Sequence, residues 1–241
     1  MSAPREIELK LDCTGPDLAA LGAHPLLQGQ GDGQGDGTGE PAGPELLTST
    51  YFDTAEGSLR AAGLTLRVRR KGDRFVQTVK AGEGAAGLFD RAEWESDVSG
   101  EAPDPAAFAD TPVPAILAGA KSPALERRFA TVVMRTTRSV AHGASRISAT
   151  LDEGRVETES GDAPLCELEL ELESGTPADL LSLAQALAET VPLRLGVVPK
   201  SARGFALLDG DARRPRKAEP VVLPEDASTA LAFRLIALAC L

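Results

Sequence analysis

The sequence predicts an all-β-dominated α+β fold, in which many short antiparallel strands form a barrel or a sandwich. Polar and apolar residues alternate with period two in stretch after stretch, which is typical of half-buried strands. Turn signals such as Lys71-Gly72-Asp73 separate several of these stretches, and patterns of alternating strand and helix are few. With 241 residues, of which 42% are hydrophobic, the chain can bury a sizeable core.

The predicted elements follow one another along the whole chain. Strands are predicted at 6–11, 46–53, 64–70, 74–80, 88–98, 125–140 and 165–173. A further pair of strands over 147–159 is predicted to turn at Asp152-Glu153-Gly154. Helical segments are predicted at 15–27, 103–120, 179–191, 199–208 and 224–241.

The first strand places charges of both signs on one face. Its polar positions are Glu6, Glu8 and Lys10, and the apolar residues between them point to the opposite face. On its own, this pattern is typical of a salt-bridged face in solvent. The pattern recurs, however, in at least five strands, whose polar positions carry this set of charges: Glu6, Glu8, Lys10, Arg67, Arg69, Lys80, Arg91, Glu93, Glu95, Glu167 and Glu169.

If these charged faces converge, the barrel has a charged lumen and an apolar exterior that helices cover. Burying an unpaired ion costs several kcal/mol, so the cations and carboxylates must meet each other or a ligand. A cationic wall suits a polyphosphate, and an acidic wall suits a hard divalent metal with oxygen ligands. The pattern therefore favours metal-assisted phosphoryl transfer to water. The open alternatives are a solvated sheet face and a scaffold barrel whose charges pair internally.

Composition limits the partners and the compartment. The formal net charge of −11 argues against a nucleic-acid surface, and no apolar run is long enough to cross a membrane. The three cysteines are far apart in sequence, which favours a reducing compartment and predicts a cytoplasmic protein. His24 and His142 lie in loop-like surroundings and receive no role, and Trp94 is predicted to pack on the exterior.

A glycine- and aspartate-rich segment at 28–45 interrupts the pattern and is predicted to be a flexible loop. Residues 1–209 are predicted to form one domain that contains this loop. A charged, proline-containing linker follows at 210–223. The apolar helix predicted at 224–241 is expected to begin a further helical domain.

An ordered series of motifs resembles the signature of the CYTH superfamily, the triphosphate tunnel metalloenzymes. The resemblance covers about residues 5 to 208, and its order and spacing fit throughout. It rests on Glu6-x-Glu8-x-Lys10, Tyr51-Phe52-Asp53-Thr54, Leu66-Arg67-Val68-Arg69, Thr78-Val79-Lys80, Arg91-Ala92-Glu93-Trp94-Glu95, Leu151-Asp152, Glu167-Leu168-Glu169-Leu170-Glu171 and Lys200-Ser201-Ala202-Arg203-Gly204. The resemblance implies an eight-stranded antiparallel β-barrel that forms a charged tunnel, with helices packed outside.

The resemblance also implies hydrolysis of a triphosphate with Mg²⁺ or Mn²⁺. It assigns the metal to Glu6, Glu8, Asp152, Glu167 and Glu169. It also implies that the phosphate oxygens are bound by Lys10, Arg67, Arg69, Lys80, Arg91, Arg135, Lys200 and Arg203. Catalytic roles are expected for Glu6, Glu8, Lys10 and Glu95. Arg135 is preferred to Arg138 because the two differ in alternation parity, and a bulge would reverse that choice.

Within the superfamily, the layout resembles bacterial inorganic triphosphatases that carry a second, helical CHAD domain. Residues 224–241 would be the first helix of that domain. The expected substrate is tripolyphosphate or a related polyphosphate. The alternatives are a thiamine triphosphatase or another organic triphosphate hydrolase or cyclase, and a polyphosphate-binding module without catalysis. The oligomeric state and the number of metal ions are left open.

Overall fold

A computed structural model describes residues 5–28, 43–82, 88–210 and 221–239. Its strands are β1 (Arg5–Asp12), β2 (Glu45–Asp53), β3 (Leu64–Lys71), β4 (Arg74–Ala81), β5 (Leu88–Val98), β6 (Glu126–His142), β7 (Ser145–Thr158), β8 (Gly161–Ser174) and β9 (Arg194–Leu195). Its helices are α1 (Gly15–Ala23), α2 (Ser58–Ala61), α3 (Val113–Gly119), α4 (Pro177–Ala188), α5 (Lys200–Leu208) and α6 (Thr229–Ala239).

Eight of these strands close into one antiparallel barrel. The order is β5-β4-β3-β2-β6-β7-β8-β1, and β1 also pairs with β5, with Glu6 opposite Arg91. The short strand β9 pairs with the other end of β1, at Leu11 and Asp12. Closure leaves the eight main strands without a free edge, and the predicted fold class is confirmed.

Helices cover the apolar outer faces of the strands. Leu18 and Leu21 of α1 pack with Leu180 and Leu183 of α4 on the outer side of β1, β7 and β8. A second cluster joins α2 and α3 to β3, β4 and β5, and Trp94 packs against it from outside. Each fully buried leucine contributes about 1.5–3 kcal/mol of transfer free energy, so this outer shell supplies much of the core.

Helix α5 closes part of one end of the barrel. Phe205 of α5 meets the edge of the Phe129 ring, with 5.1 Å between ring centroids, and Phe129 stacks on Tyr51 at 4.5 Å. Leu47, Val133, Val156 and Leu165 complete this cluster from inward-facing positions of four strands. The inward faces are therefore apolar at the α5 end and charged elsewhere.

The predicted turn at Asp152-Glu153-Gly154 is wrong. These residues lie within β7, which continues to Thr158 before the chain turns into β8. Gly154 occupies a position where a Cβ would lie 2.0 Å from the Val132 carbonyl oxygen, so close approach between β6 and β7 explains the glycine. Of the predicted loop 28–45 and linker 210–223, residues 29–42 and 211–220 lie outside the described residues.

The helices of the described ranges are short. The longest, α4, has 12 residues, and none is both long and apolar enough for a bilayer crossing.

The first testable prediction concerns the contact between α4 and the turn between β6 and β7. The Ser145 hydroxyl donates to Asp179 Oδ2 at 2.5 Å, and the Thr176 hydroxyl donates to the same oxygen at 3.3 Å. These hydrogen bonds hold the pKa of Asp179 below its ordinary value of 3.8. The carboxylate therefore stabilises the fold above that pH, and this contribution disappears as the pH falls through the lower folded-state pKa.

We expect Asp179→Asn to lower Tm at neutral pH, and the difference from the unmodified protein to shrink as the pH falls below 3.8. Thermal melts over a pH series measure both. Glu189→Gln, which removes an exposed carboxylate at the other end of α4, serves as the control and is expected not to lower Tm. A difference for Asp179→Asn that is independent of pH would contradict the assignment.

Candidate active site

A charged cavity of about 200 Å³ occupies the lumen of the barrel. Every one of the eight barrel strands contributes at least one lining side chain, and α5 adds Lys200 and Ser201 at one end. The lining includes six carboxylates (Glu6, Glu8, Glu93, Glu95, Glu169 and Glu171) and seven cations (Lys10, Arg67, Arg69, Lys80, Arg91, Arg135 and Lys200).

One wall of the lumen is acidic. Glu6 and Glu8 project from β1, and Glu171 stands opposite Glu8 on the neighbouring strand β8. Arg91 binds Glu6 at 3.0 Å and Glu8 at 2.7 Å, whereas Glu171 has no ion-pair partner among the described residues. Glu171 is exposed at its end of the lumen. Partial desolvation, together with the negative charges of Glu6 and Glu8, raises its pKa to about 7. This wall is therefore short of positive charge.

The facing wall is cationic. Arg67 and Arg69 of β3 lie near Arg135 of β6. The Arg69 Nε donates to the Ser49 hydroxyl at 3.1 Å, and no described carboxylate lies within ion-pairing distance of Arg69. Burial, followed by the neighbouring Arg67 and Arg135, lowers the pKa of Arg69. A buried guanidinium with only a hydroxyl partner forms a site for an anion.

Tyr51 lies between the cationic wall and the aromatic cluster under α5. Burial raises the pKa of its phenol, but the charges of Arg67, Lys200 and Arg69 outweigh that effect and place the pKa below the usual range. The same cations that would attract a phosphate thus already act on the Tyr51 phenol.

Below the α5 end, three cations and three carboxylates form a buried ion network. Lys200 Nζ lies 2.8 Å from Asp152 Oδ2 and 2.9 Å from Glu169 Oε1, and it also contacts Glu167 Oε1. Lys10 binds Glu167 at 2.8 Å and also contacts Glu169. Arg135 makes a two-pronged contact with Asp152, at 2.7 and 2.5 Å. These contacts outweigh the effect of burial. They hold the pKa of Asp152 below its ordinary value and the pKa of Lys200 above its ordinary value.

The acidic wall fits a hard divalent cation. Its donors are carboxylate oxygens only, which is the chemistry that Mg²⁺ and Mn²⁺ select. A cation bound beside Glu171 would favour its charged form. Glu6, Glu8 and Glu171 are therefore candidates to hold a metal, with Glu169 beside them, and Lys80 and Arg91 occupy Glu6 and Glu8 in the free protein.

The structure brings most of the residues that the resemblance singles out to this one lumen. Asp152 and Glu167 lie behind the lining, where they are fully buried against Lys200. Arg203 lies outside it, because its guanidinium binds Asp12 and lies 3.5 Å from Glu167. Glu95 lies at the edge of the lumen, with its side chain 52% exposed and accepting from the Thr78 hydroxyl at 3.0 Å.

The two arginines that parity distinguishes lie on opposite sides of the barrel wall. Arg135 lines the lumen, whereas Arg138 donates to the Gly22 and Leu27 carbonyl oxygens near the end of α1.

Sequence reasoning assigned no role to several lining residues. The most important is Glu171, which shares the parity of Glu167 and Glu169 and could have been found by extending that alternation by one step. Tyr51 and Glu93 belong to recognised motifs but received no function. Hydroxyl side chains to which the sequence reasoning gave no role also line the lumen: Thr65, Thr78, Thr150 and Ser201.

A wider chamber of about 930 Å³ adjoins the lumen beside α5. Thr65, Lys80 and Arg91 border both spaces, so the two cavities lie next to each other. The chamber has apolar and polar walls, and Phe89 and Phe205 are its aromatic residues.

Comparison with known proteins agrees with the geometry. The CYTH domain family matches residues 5–205. An inorganic triphosphatase of Haemophilus influenzae is 27% identical over 168 residues, which are 67% of this chain and 46% of that protein. The chain thus spans about half the length of this relative.

Among solved structures, HpAC1 from Hippeastrum, described as an adenylyl cyclase with a dominant triphosphatase activity, has a TM-score of 0.55 at 19% identity. The likeness covers 83% of this chain and 95% of that one, and at this identity it shows the fold alone.

The second testable prediction concerns the seat of α5. A Cβ at Gly204 would lie 2.2 Å from the Phe129 ring, which cannot yield because it is held between Tyr51 and Phe205. We expect Gly204→Ala to lower the free energy of unfolding by about 1–3 kcal/mol, as overpacking does. Gly119→Ala in α3, where a Cβ meets nothing within 4 Å, is the control and should be neutral or stabilising. Denaturant titration measures both, and equal stability of Gly204→Ala and the unmodified protein would refute the close-packing argument.

Proposed function

We propose that this chain, which belongs to the CYTH domain family, hydrolyses tripolyphosphate to pyrophosphate and phosphate in the lumen of its barrel. The observation that carries the proposal is the division of one small lumen into two walls. Among the described residues, one wall has a half-buried arginine without a carboxylate partner, Arg69, and the other has a carboxylate without a cation partner, the exposed Glu171. The Haemophilus relative, which is named an inorganic triphosphatase, supports the same chemistry.

The cationic wall would bind and orient the phosphate chain. Arg67, Arg69 and Arg135 present guanidinium groups, whose fork geometry matches phosphate oxygens. Lys80 and Arg91, which bridge towards the acidic wall, would contact the other side of the chain. Lys10 and Lys200 would add positive charge from the α5 end, whereas Arg203 supports that end by binding Asp12.

The acidic wall would hold Mg²⁺ or Mn²⁺ through Glu6, Glu8 and Glu171, with Glu169 beside them. Bound there, the ion would neutralise charge on the phosphate oxygens and act as a Lewis acid. Asp152 and Glu167, to which the resemblance also assigns metal, are paired with Lys200 and Lys10 and lie behind the lumen lining. Glu6 and Glu8 are paired too, with Lys80 and Arg91, but they line the lumen itself.

Catalysis would depend mainly on positioning and on electrostatic stabilisation. Negative charge on the phosphate oxygens has to be stabilised as the bond to the leaving group breaks, and donors fixed in advance lower the barrier because they need no reorganisation. Arg69 is fixed in this way by Ser49. Glu95, at the edge of the lumen, would accept the proton of the attacking water at its carboxylate.

One observation favours a second candidate, an organic triphosphate. The chamber beside α5 has both the volume and the mixed walls that suit an organic group attached to the end of a phosphate chain. The substrate panel below distinguishes this candidate, which includes a thiamine triphosphatase or a cyclase, from the inorganic triphosphatase.

The domain division is part of the proposal. Residues 1–209 would form the catalytic domain, and 224–241 would begin a CHAD-like helical domain after the linker 210–223. Apolar side chains of α6 are exposed, among them Phe233 at 73%, and a further helical domain would cover them. A cytoplasmic location also remains a proposal.

The third testable prediction is the activity itself. Phosphate release from tripolyphosphate, ATP and thiamine triphosphate is to be measured with Mg²⁺, with Mn²⁺ and with EDTA. We expect rapid release from tripolyphosphate that EDTA abolishes. A preference for ATP or thiamine triphosphate would establish the organic candidate instead. Binding of tripolyphosphate without turnover of any substrate would indicate a polyphosphate-binding module.

Two substitutions on the acidic wall test where this activity resides. Glu8→Gln and Glu171→Gln should each abolish turnover while the fold is retained, because each removes a carboxylate from the proposed metal wall. Glu173→Gln is the matched control, since Glu171 and Glu173 are both exposed on β8 but only Glu171 lines the lumen. Full activity in both lumen variants would remove the metal assignment.

The fourth testable prediction concerns the unpaired arginine. Arg69→Ala should raise KM and also lower kcat, with a loss of about 10²-fold or more in kcat/KM, because its contact strengthens as charge develops. Arg70→Ala removes the adjacent arginine on the exposed face and should leave both constants unchanged. A rise in KM alone would show that Arg69 binds the ground state and the transition state equally.

A further inference from the structure

Three carboxylates at the α5 end of the lumen have the composition of a metal site. Single oxygens of Asp152, Glu167 and Glu169 all lie within 4.8 Å of one another, and no other such group occurs in the described part of the chain. Two of the three side chains, Asp152 and Glu167, are completely buried. In chemistry and spacing alone, this triad would accept a hard divalent ion.

A lysine ammonium already contacts all three carboxylates. Lys200 Nζ lies 2.8 Å from Asp152 and 2.9 Å from Glu169, and it also contacts Glu167. Lys200 is the first residue of α5 and is itself buried, at 7% exposure. Its charge therefore lies at the point on which the three carboxylates converge.

The charges around this triad are balanced without any ligand. Lys10, Lys200 and Arg135 supply three positive charges against three carboxylates, and every one of the six groups contacts at least two partners of opposite charge. A divalent ion could enter only by displacing an ammonium that is already paired. The ion pairs therefore neutralise the charge of the triad, and Glu167 Oε2 is the one triad oxygen that is buried without a hydrogen-bond partner among the described residues.

The acidic wall provides the contrast. There, three carboxylates (Glu6, Glu8 and Glu93) make their close contacts, of 3.1 Å or less, with only two cations, Lys80 and Arg91. A fourth carboxylate, the exposed Glu171, has no such contact among the described residues. The carboxylates of the triad are thus matched by an equal number of cations, whereas the acidic wall has fewer cations than carboxylates.

We infer that Lys200 is a positioning residue whose ammonium takes the place of a divalent ion at Asp152, Glu167 and Glu169, so that this chain binds its metal at the acidic wall only. The inference rests on the proposed function only in taking the lumen to bind a divalent ion. It assigns Asp152 and Glu167 the task of holding α5 over the barrel end, and it makes the triad a latent metal site that the lysine blocks.

Lys200 belongs to a helix that is firmly packed against the barrel, so its ammonium stays at the triad. Gly204 allows α5 to approach Phe129 closely, and Phe205 packs against the same ring. These contacts lie one turn beyond Lys200 and fix the start of the helix over the triad. A tethered ammonium cannot diffuse away, whereas a bound ion can.

The experiment counts Mn²⁺ ions bound to the full chain by electron paramagnetic resonance, without substrate. Lys200→Gln should bind one more Mn²⁺ than the unmodified protein, because the triad loses its internal cation. The double variant Lys200→Gln/Asp152→Asn should lose that extra ion. Lys121→Gln, at an exposed position away from the lumen, should bind as many ions as the unmodified protein.

A second measurement covers the case in which Lys200→Gln folds poorly. Its Tm should fall without metal and recover on addition of Mn²⁺, and the recovery should be absent in the double variant. In the otherwise unmodified protein, Asp152→Asn should leave Mn²⁺ affinity unchanged, whereas Glu8→Gln and Glu171→Gln should weaken it.

Two results would overturn the inference. One is an equal Mn²⁺ count in Lys200→Gln and the unmodified protein, with no recovery of Tm. The other is a loss of Mn²⁺ from Asp152→Asn alone, which would make the triad the working metal site. Failure of the proposed function looks different, since the unmodified protein would then turn over no triphosphate while the gain of an ion in Lys200→Gln could still be counted.

Discussion

Charge balance inside the barrel is the constraint on which the rest of the structure depends. Removing an ion from water costs several kcal/mol, so a lumen lined by thirteen charged groups is tolerable only when cations and carboxylates meet. The two-residue period of the strands places these charges on one side, and the other side is left to apolar residues. The position of the helices follows, because α1 and α4 bury the outer leucines of β1 and β8.

Helix α5 connects the apolar and the ionic parts of the interior. Phe205 belongs to the aromatic cluster that fills part of the barrel end, and Lys200, at the start of the same helix, joins the buried ion network. The helix is thus anchored by packing and by charge at once. A change in either contact acts on the other, because one short rigid element carries both.

Much of the fold and part of the site could be predicted from sequence, because both depend on local alternation. Parity alone separates Arg135, in the lumen, from Arg138, which caps α1. It fails where the answer depends on distant partners: the engagement of Asp152 and Glu167 by Lys200 requires the docking of α5, which no local pattern encodes. The limit of the lumen along β8, which includes Glu171 and excludes Glu173, is likewise set by the length of the barrel.

The separation of like charges into two walls explains why the lumen favours a ligand that carries both signs. Two like charges about 4 Å apart repel by roughly 4 kcal/mol at an effective dielectric constant of about 20, so each wall stores unfavourable energy in the free protein. Desolvation first, and this repulsion second, lower the pKa of Arg69 and raise the pKa of Glu171. A phosphate chain alone would reduce the repulsion in the cationic wall and increase it in the acidic wall. A cation alone would have the opposite effects. A polyphosphate bound together with a divalent cation relieves both walls, because its anionic oxygens face the arginines and its metal faces the glutamates.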